Sequence, residues 1–195
     1  MTPLAIYLSG VLATIAPSMH ADRRESIADD IATVVLSEER AFDDDAEGQK
    51  TALLLTSIAH YETGRSWASW IDNGKCNDEK WRTEHPQWIK GGDCDGGHAW
   101  GMWQVHPPNE DAAIGHTYVA DRKVGIRAAL LIARASLQAH IGLCHYSGET
   151  YPKCHLASMR LETARNWVTK FPFSSGNGAA AHLDPVNDHA YSGVE

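Results

Sequence analysis

A chain of 195 residues, 43% hydrophobic and 22% charged, is long enough to bury a substantial core and reads as one domain without internal repeats. Its formal net charge of −8, from 17 Lys and Arg against 25 acidic residues, argues against broad affinity for nucleic acid, because the cations are scattered rather than gathered into a patch. An acidic protein also gains no bulk attraction to a polyanionic partner, so capture of such a target falls to local contacts.

Residues 1–21 read as an apolar N-terminal helix or signal-like segment. The run Leu4 to Ala16 is too short and interrupted for a stable membrane span. No Lys or Arg precedes it, Pro17 follows Ala16 directly, and Met19 is large for a cleavage site after Ala21, so a helix of the fold, or of a larger phage or export context, is preferred over a signal peptide. Residues 22–170 form the expected catalytic domain. Asp22 and Glu25 give a D-x-x-E start, and Ile27, Ile31, Val34 and Val35 form an apolar helical face that ends at the acidic break Asp43 to Asp45. Asp45 then caps a second helix, whose apolar run Leu53 to Ile58 ends at Glu62, before Gly64.

The stretch Ser66 to Gly97 carries Trp67, Trp70, Trp81 and Trp88 between turn signals such as Asp72-Asn73-Gly74, which predicts a Trp-rich irregular or small β lobe. Further helices are expected over Val124 to Ile141 and Leu156 to Val168. From Phe171 onward Pro, Gly, Ser and Asn dominate, so residues 171–195 read as a loosely packed C-terminal tail.

Glu62 is the chemically informative residue. A carboxylate in the last turn of a buried helix meets the negative end of the helix dipole and loses water, and both effects raise its pKa toward the range of a general acid. Downstream, Trp100-Gly101-Met102-Trp103-Gln104 combines aromatic faces, a permissive glycine and an amide, a set suited to a neutral polar ligand such as a sugar. Each segment also has a plain structural reading, as a solvated helix end and as a tryptophan-rich core turn.

Glu62-Thr63-Gly64 and His98-Ala99-Trp100-Gly101-Met102-Trp103-Gln104-Val105-His106-Pro107 together resemble the soluble lytic transglycosylase branch of the lysozyme-like superfamily. Ala99, Gly101, Gln104 and Pro107 match its cleft motif, Met102 and Trp103 replace a Leu-Met pair, and Thr63 replaces a serine. Tyr146-Ser147-Gly148 is similar to a third motif, with one residue missing and its asparagine absent. The resemblance covers roughly Thr51 to Trp167. It implies a mainly α, lysozyme-like single domain with its lobe beside a substrate groove. It also implies cleavage of peptidoglycan glycan strands between N-acetylmuramic acid and N-acetylglucosamine to 1,6-anhydro products. Glu62 would be the acid and base, Gly101, Met102, Trp103 and Gln104 would line the groove, and Tyr146 would orient the acid or the reacting ring. No cofactor and no metal are implied. Such an enzyme works in the periplasm, outside the cell, or on a phage virion, as a monomer or within a larger assembly.

Alternatives remain open at this level. A hydrolytic muramidase or endolysin needs a second carboxylate, for which Asp72 and Asp95 stand as candidates, with Asp93 beside them. A non-catalytic glycan-binding or virion structural domain would use the same fold. The four cysteines pair most locally as Cys76 with Cys94 and Cys144 with Cys154, one of three possible connectivities. Four reduced thiols are the competing reading. A zinc site from Cys144-His145 and Cys154-His155 matches no common spacing. Cys94 as a nucleophile is disfavoured by its neighbours Asp93 and Asp95, which raise a thiol's pKa.

Overall fold

The computed structural model describes residues 1–63, 65, 67, 83, 99–144, 146 and 154–173. Among them six α-helices make up the architecture: α1 (Pro3–Ile15), α2 (Ala21–Ser37), α3 (Gln49–Glu62), α4 (Ala112–Ala120), α5 (Arg122–Gln138) and α6 (His155–Lys170). A 3-10 turn, Pro108–Glu110, precedes α4.

The helix α1 begins where its sequence allows, with Pro3 in the first turn and the Thr2 hydroxyl accepting from the Ala5 N–H at 3.2 Å. Its Leu4, Leu8, Val11 and Leu12 recur at helical spacing and are buried in the contact with α2, whose Ile27, Ile31, Val34 and Val35 form the reciprocal face. The apolar N-terminal segment is thus a packed helix of the bundle.

Helix α3 is the centre of the core. Every residue from Thr51 to Ala59 is buried, so the helix is covered on all sides. Its buried hydroxyls are satisfied, Thr56 donating to the Ala52 carbonyl at 2.8 Å and Ser57 to the Arg160 carbonyl of α6 at 2.7 Å. At its start, the two Asp45 carboxylate oxygens accept from the N–H groups of Lys50 at 2.9 Å and Thr51 at 2.7 Å. Gly48 supplies the bend there with φ 80°, and a Cβ on it would come within 2.5 Å of Val35 Cγ1.

Helix α5 buries Ile126, Ala129, Leu130 and Ala133 and is tied to α2 by Asp30, which pairs with Arg122 at 2.5 Å and Lys123 at 3.2 Å. Helix α6 lies along α3. Its exit is fixed by the Tyr7 hydroxyl, which donates to the Phe171 carbonyl at 2.6 Å, and by Gln49, which donates to the same carbonyl at 2.9 Å. Burial pushes the Tyr7 pKa up to about 12, so this clamp stays protonated. Phe171 is buried and Phe173 packs on the Tyr7 ring, which places the start of the expected tail in the packed body; residues 174–195 lie outside the described residues.

The expected β lobe is corrected here. Among the described residues no strand is present, and the one β-type contact is the isolated antiparallel bridge between Trp100 and Val105. Positive φ values at Gly101 (68°) and Gln104 (47°) close the chain within four residues, so the two backbone bonds of the bridge, at 3.1 and 3.0 Å, have no ladder to extend. Pro107 follows at once and removes a donor. Among the described residues, the lysozyme-like domain with a small β lobe beside a groove is therefore replaced by an all-helical bundle. Most of Ser66 to Gly97 lies outside the described residues, including Trp70, Asp72, Cys76, Trp81, Trp88, Asp93, Cys94 and Asp95.

Candidate functional site

Glu62 is the last residue of α3, and its side chain is 18% exposed. Its Oε1 accepts from Nη2 of Arg160 on α6 at 2.6 Å. Arg160 is itself 7% exposed and is held by the fit of α6 on α3, since its carbonyl receives the Ser57 hydroxyl. Beside this pair, the hydroxyl of Tyr61, the residue before Glu62, meets that of Thr163 on α6 at 3.0 Å. The result is a charge pair at the edge of a dry helix interface, with the guanidinium inside and the carboxylate reaching toward solvent.

Tyr146 completes the cluster. Its hydroxyl donates to the Trp103 carbonyl. Burial holds its pKa well above the ordinary phenol value, the negative charge of Glu62 adds to the rise, and the Arg160 cation opposes it. Tyr146 is therefore a fixed hydrogen-bond donor beside the pair. The Cys144–Cys154 disulfide, with Cα atoms 5.3 Å apart, fastens the chain on the approach to α6. Cys76 and Cys94 lie outside the described residues.

The expected groove residues are placed differently. Trp103 is 2% exposed, and its indole N–H donates to the Leu55 carbonyl of α3 at 2.9 Å. Trp100 is buried against α4, where a Cβ on Gly115 would fall 2.3 Å from the indole Cε2, and its ring meets His116 edge-on at 4.6 Å. Gln104 turns its amide back to donate to the Gly101 carbonyl at 2.7 Å, closing its own turn. Met102 is buried, and with Gly101 it lines a cavity of about 510 Å³ whose walls come from α2, α4 and α5. Of the sequence-expected site residues, the structure brings together Glu62, Tyr146 and the backbone of Trp103.

Arg160 was not among the expected residues. Its signal lay in the periodicity of α6, where Ala157, Arg160, Leu161, Ala164 and Trp167 share the buried face. One cation on an otherwise apolar stripe marks a buried partner elsewhere. His60 was also overlooked as a titrating group. Its Nδ1 accepts from the Trp67 indole N–H at 3.0 Å, and burial, reinforced by the Arg65 cation, pushes its pKa down to about 4.

Among the described residues no group of three or more His, Cys, Asp and Glu side chains is close enough to hold a metal ion. Cys144 and Cys154, joined to each other, present no thiolates for the zinc arrangement weighed from the sequence. No helix among the described residues is long and apolar enough to cross a membrane.

Comparison with protein-family profiles, curated proteins and solved structures finds no match for this chain. The resemblance to lytic transglycosylases is withdrawn. The lobe that flanks a lysozyme-like cleft is absent from the described residues, and the aromatics meant to line the groove are core residues bonded to α3 and packed on α4. A glycosidic-bond-cleaving site, whether transglycosylase, muramidase or endolysin, and a passive glycan-binding face both require that aromatic surface. The Glu62 carboxylate, expected as the acid, accepts from the Arg160 guanidinium at 2.6 Å.

Proposed function

We propose that the chain is an enzyme of an extracytoplasmic compartment in which the Glu62 carboxylate accepts a proton from the reacting group. The observation that carries this reading is the Glu62–Arg160 pair beside the Tyr146 hydroxyl. A buried guanidinium holds a partly exposed carboxylate in one orientation, and the Tyr146 phenol, its proton committed to the Trp103 carbonyl, stands beside it. Clusters of ionisable groups with opposed environments are the usual setting of proton-transfer chemistry. The disulfide supports an oxidising compartment, either periplasmic or extracellular.

Peptidoglycan is the partner proposed, through its peptide portion, whose amides and carboxylates suit a charged pair better than an aromatic groove. This reading contains no glycosidic step. Incubating the purified chain with peptidoglycan and following soluble products by mass spectrometry tests it. New amine or carboxyl ends should appear with the active chain and not with the heat-treated one. An unchanged polymer would remove peptidoglycan as the partner.

A further inference from the structure

We propose that the contact between His60 and Trp67 is an acid-released latch at the chain's exit from α3, closed while the imidazole is neutral and opened by its protonation. The logic is in the donor inventory. An indole N–H only donates, so the His60 Nδ1 that accepts from it at 3.0 Å carries a lone pair and no proton. A proton on Nδ1 sets two N–H groups against each other and ends the bond.

The surroundings make that change local and unfavourable to charge. The His60 ring packs against Tyr61 at 5.7 Å, Trp67 at 6.0 Å and Trp167 of α6 at 5.6 Å. Among the described residues, the charged groups packed on these rings are cations, with Arg160 5.9 Å from the Tyr61 ring centroid. Arg65 lies over the Tyr61 ring at 4.9 Å, and Arg23 of α2 donates to the Trp67 carbonyl at 2.7 Å. Glu62, two residues along the chain, is engaged with Arg160. A further positive charge at His60 thus meets aromatic rings and arginines.

What the latch holds is a strained backbone. Arg65 and Trp67 have φ values of 63° and 52°, a region that non-glycine residues rarely occupy and that persists where side-chain contacts enforce it. Trp67 is 3% exposed, fixed by its indole to α3 and by its carbonyl to α2. Loss of the indole bond removes one of these two anchors immediately after the helix that ends in Glu62. The His60 pKa of about 4 places the opening at acidic pH, with the latch closed throughout the neutral range.

The test is hydrogen-exchange protection of the Trp67 indole N–H by NMR between pH 7 and pH 3.5, corrected for the intrinsic pH dependence of exchange. The Trp103 indole, bonded to the Leu55 carbonyl, serves as internal reference. Protection of Trp67 should fall progressively as pH drops from about 6.5 to about 4, by more than tenfold in all, and level off below that, as expected for a proton-linked shift of more than one pKa unit. Trp103 should keep its protection. In His60→Gln, whose amide oxygen accepts without titrating, the Trp67 signal should stay level. The imidazole nitrogen shifts of the wild type give a second readout independent of any variant. A proton already on Nδ1 at pH 7, or an ordinary titration near 6.5, would overturn the proposal. So would Trp67 and Trp103 losing protection together.

Discussion

Removing the Glu62 charge leaves a buried cation without its counter-ion, and the cost depends on what replaces the carboxylate. Arg160 is 7% exposed, and among the described residues its Nε and Nη1 are buried without hydrogen-bond partners, so the bond from Nη2 to Glu62 at 2.6 Å bears the compensation of the guanidinium there. Breaking a buried pair by removing one partner costs about 3–5 kcal/mol. Because Glu62 is partly exposed, Glu62→Leu should fall at the low end, about 3 kcal/mol. For a protein of this size that lowers Tm by roughly 6–12 °C. Glu62→Gln keeps an oxygen that accepts from Nη2 and should cost about 1 kcal/mol. Arg160→Met removes the buried cation, so the double variant Glu62→Leu/Arg160→Met should be more stable than Glu62→Leu alone. Urea unfolding of the four proteins at pH 7 gives the coupling energy directly. Additivity within about 0.5 kcal/mol would refute the claim that the two side chains compensate each other.

Three further outcomes follow from the geometry. Gly115→Ala forces a methyl to within 2.3 Å of the Trp100 ring and should destabilise by about 1–3 kcal/mol, seen as a lower urea midpoint; an unchanged midpoint would mean that Trp100 is not packed on α4. His60 has a folded pKa below its unfolded value, so its contribution to stability is present above about pH 6.5 and is lost as pH falls through about 4. The full shift corresponds to about 3 kcal/mol and, discounted for partial exposure, about 1–2 kcal/mol, which His60→Gln should abolish from a stability–pH curve. Replacing Cys144 and Cys154 with serines should cost about 3 kcal/mol by loop entropy, and an unaltered midpoint would show that the loop is held by other contacts.

The helical elements were legible where burial is one-sided. Ile27, Ile31, Val34 and Val35 mark α2, Asp45 marks the entry to α3, and the end of α3 at Glu62 agrees with the run Leu53 to Ile58 followed by Gly64. The orientation of Trp100 to Gln104 was not legible. A glycine turn flanked by tryptophans has the same composition whether its rings face a groove or the core. The decision rests on the Leu55 carbonyl and the space left by Gly115, both distant in sequence. Helix α4 escaped notice because its short Ala-Ile-Gly-His-Thr stretch buries only Gly115 and Tyr118 and so has little periodicity. The carboxylate of the candidate site was visible in the sequence; its partner was not, since Arg160 stands 98 residues away.

The central claim is that Glu62 transfers a proton rather than merely pairing with Arg160. The rate of product formation by Glu62→Gln relative to wild type, each corrected for its folded fraction, measures this most directly. The account predicts a loss of about 10²- to 10⁴-fold with the fold intact. A rate within a few-fold of wild type would contradict it and leave the pair a structural link between α3 and α6.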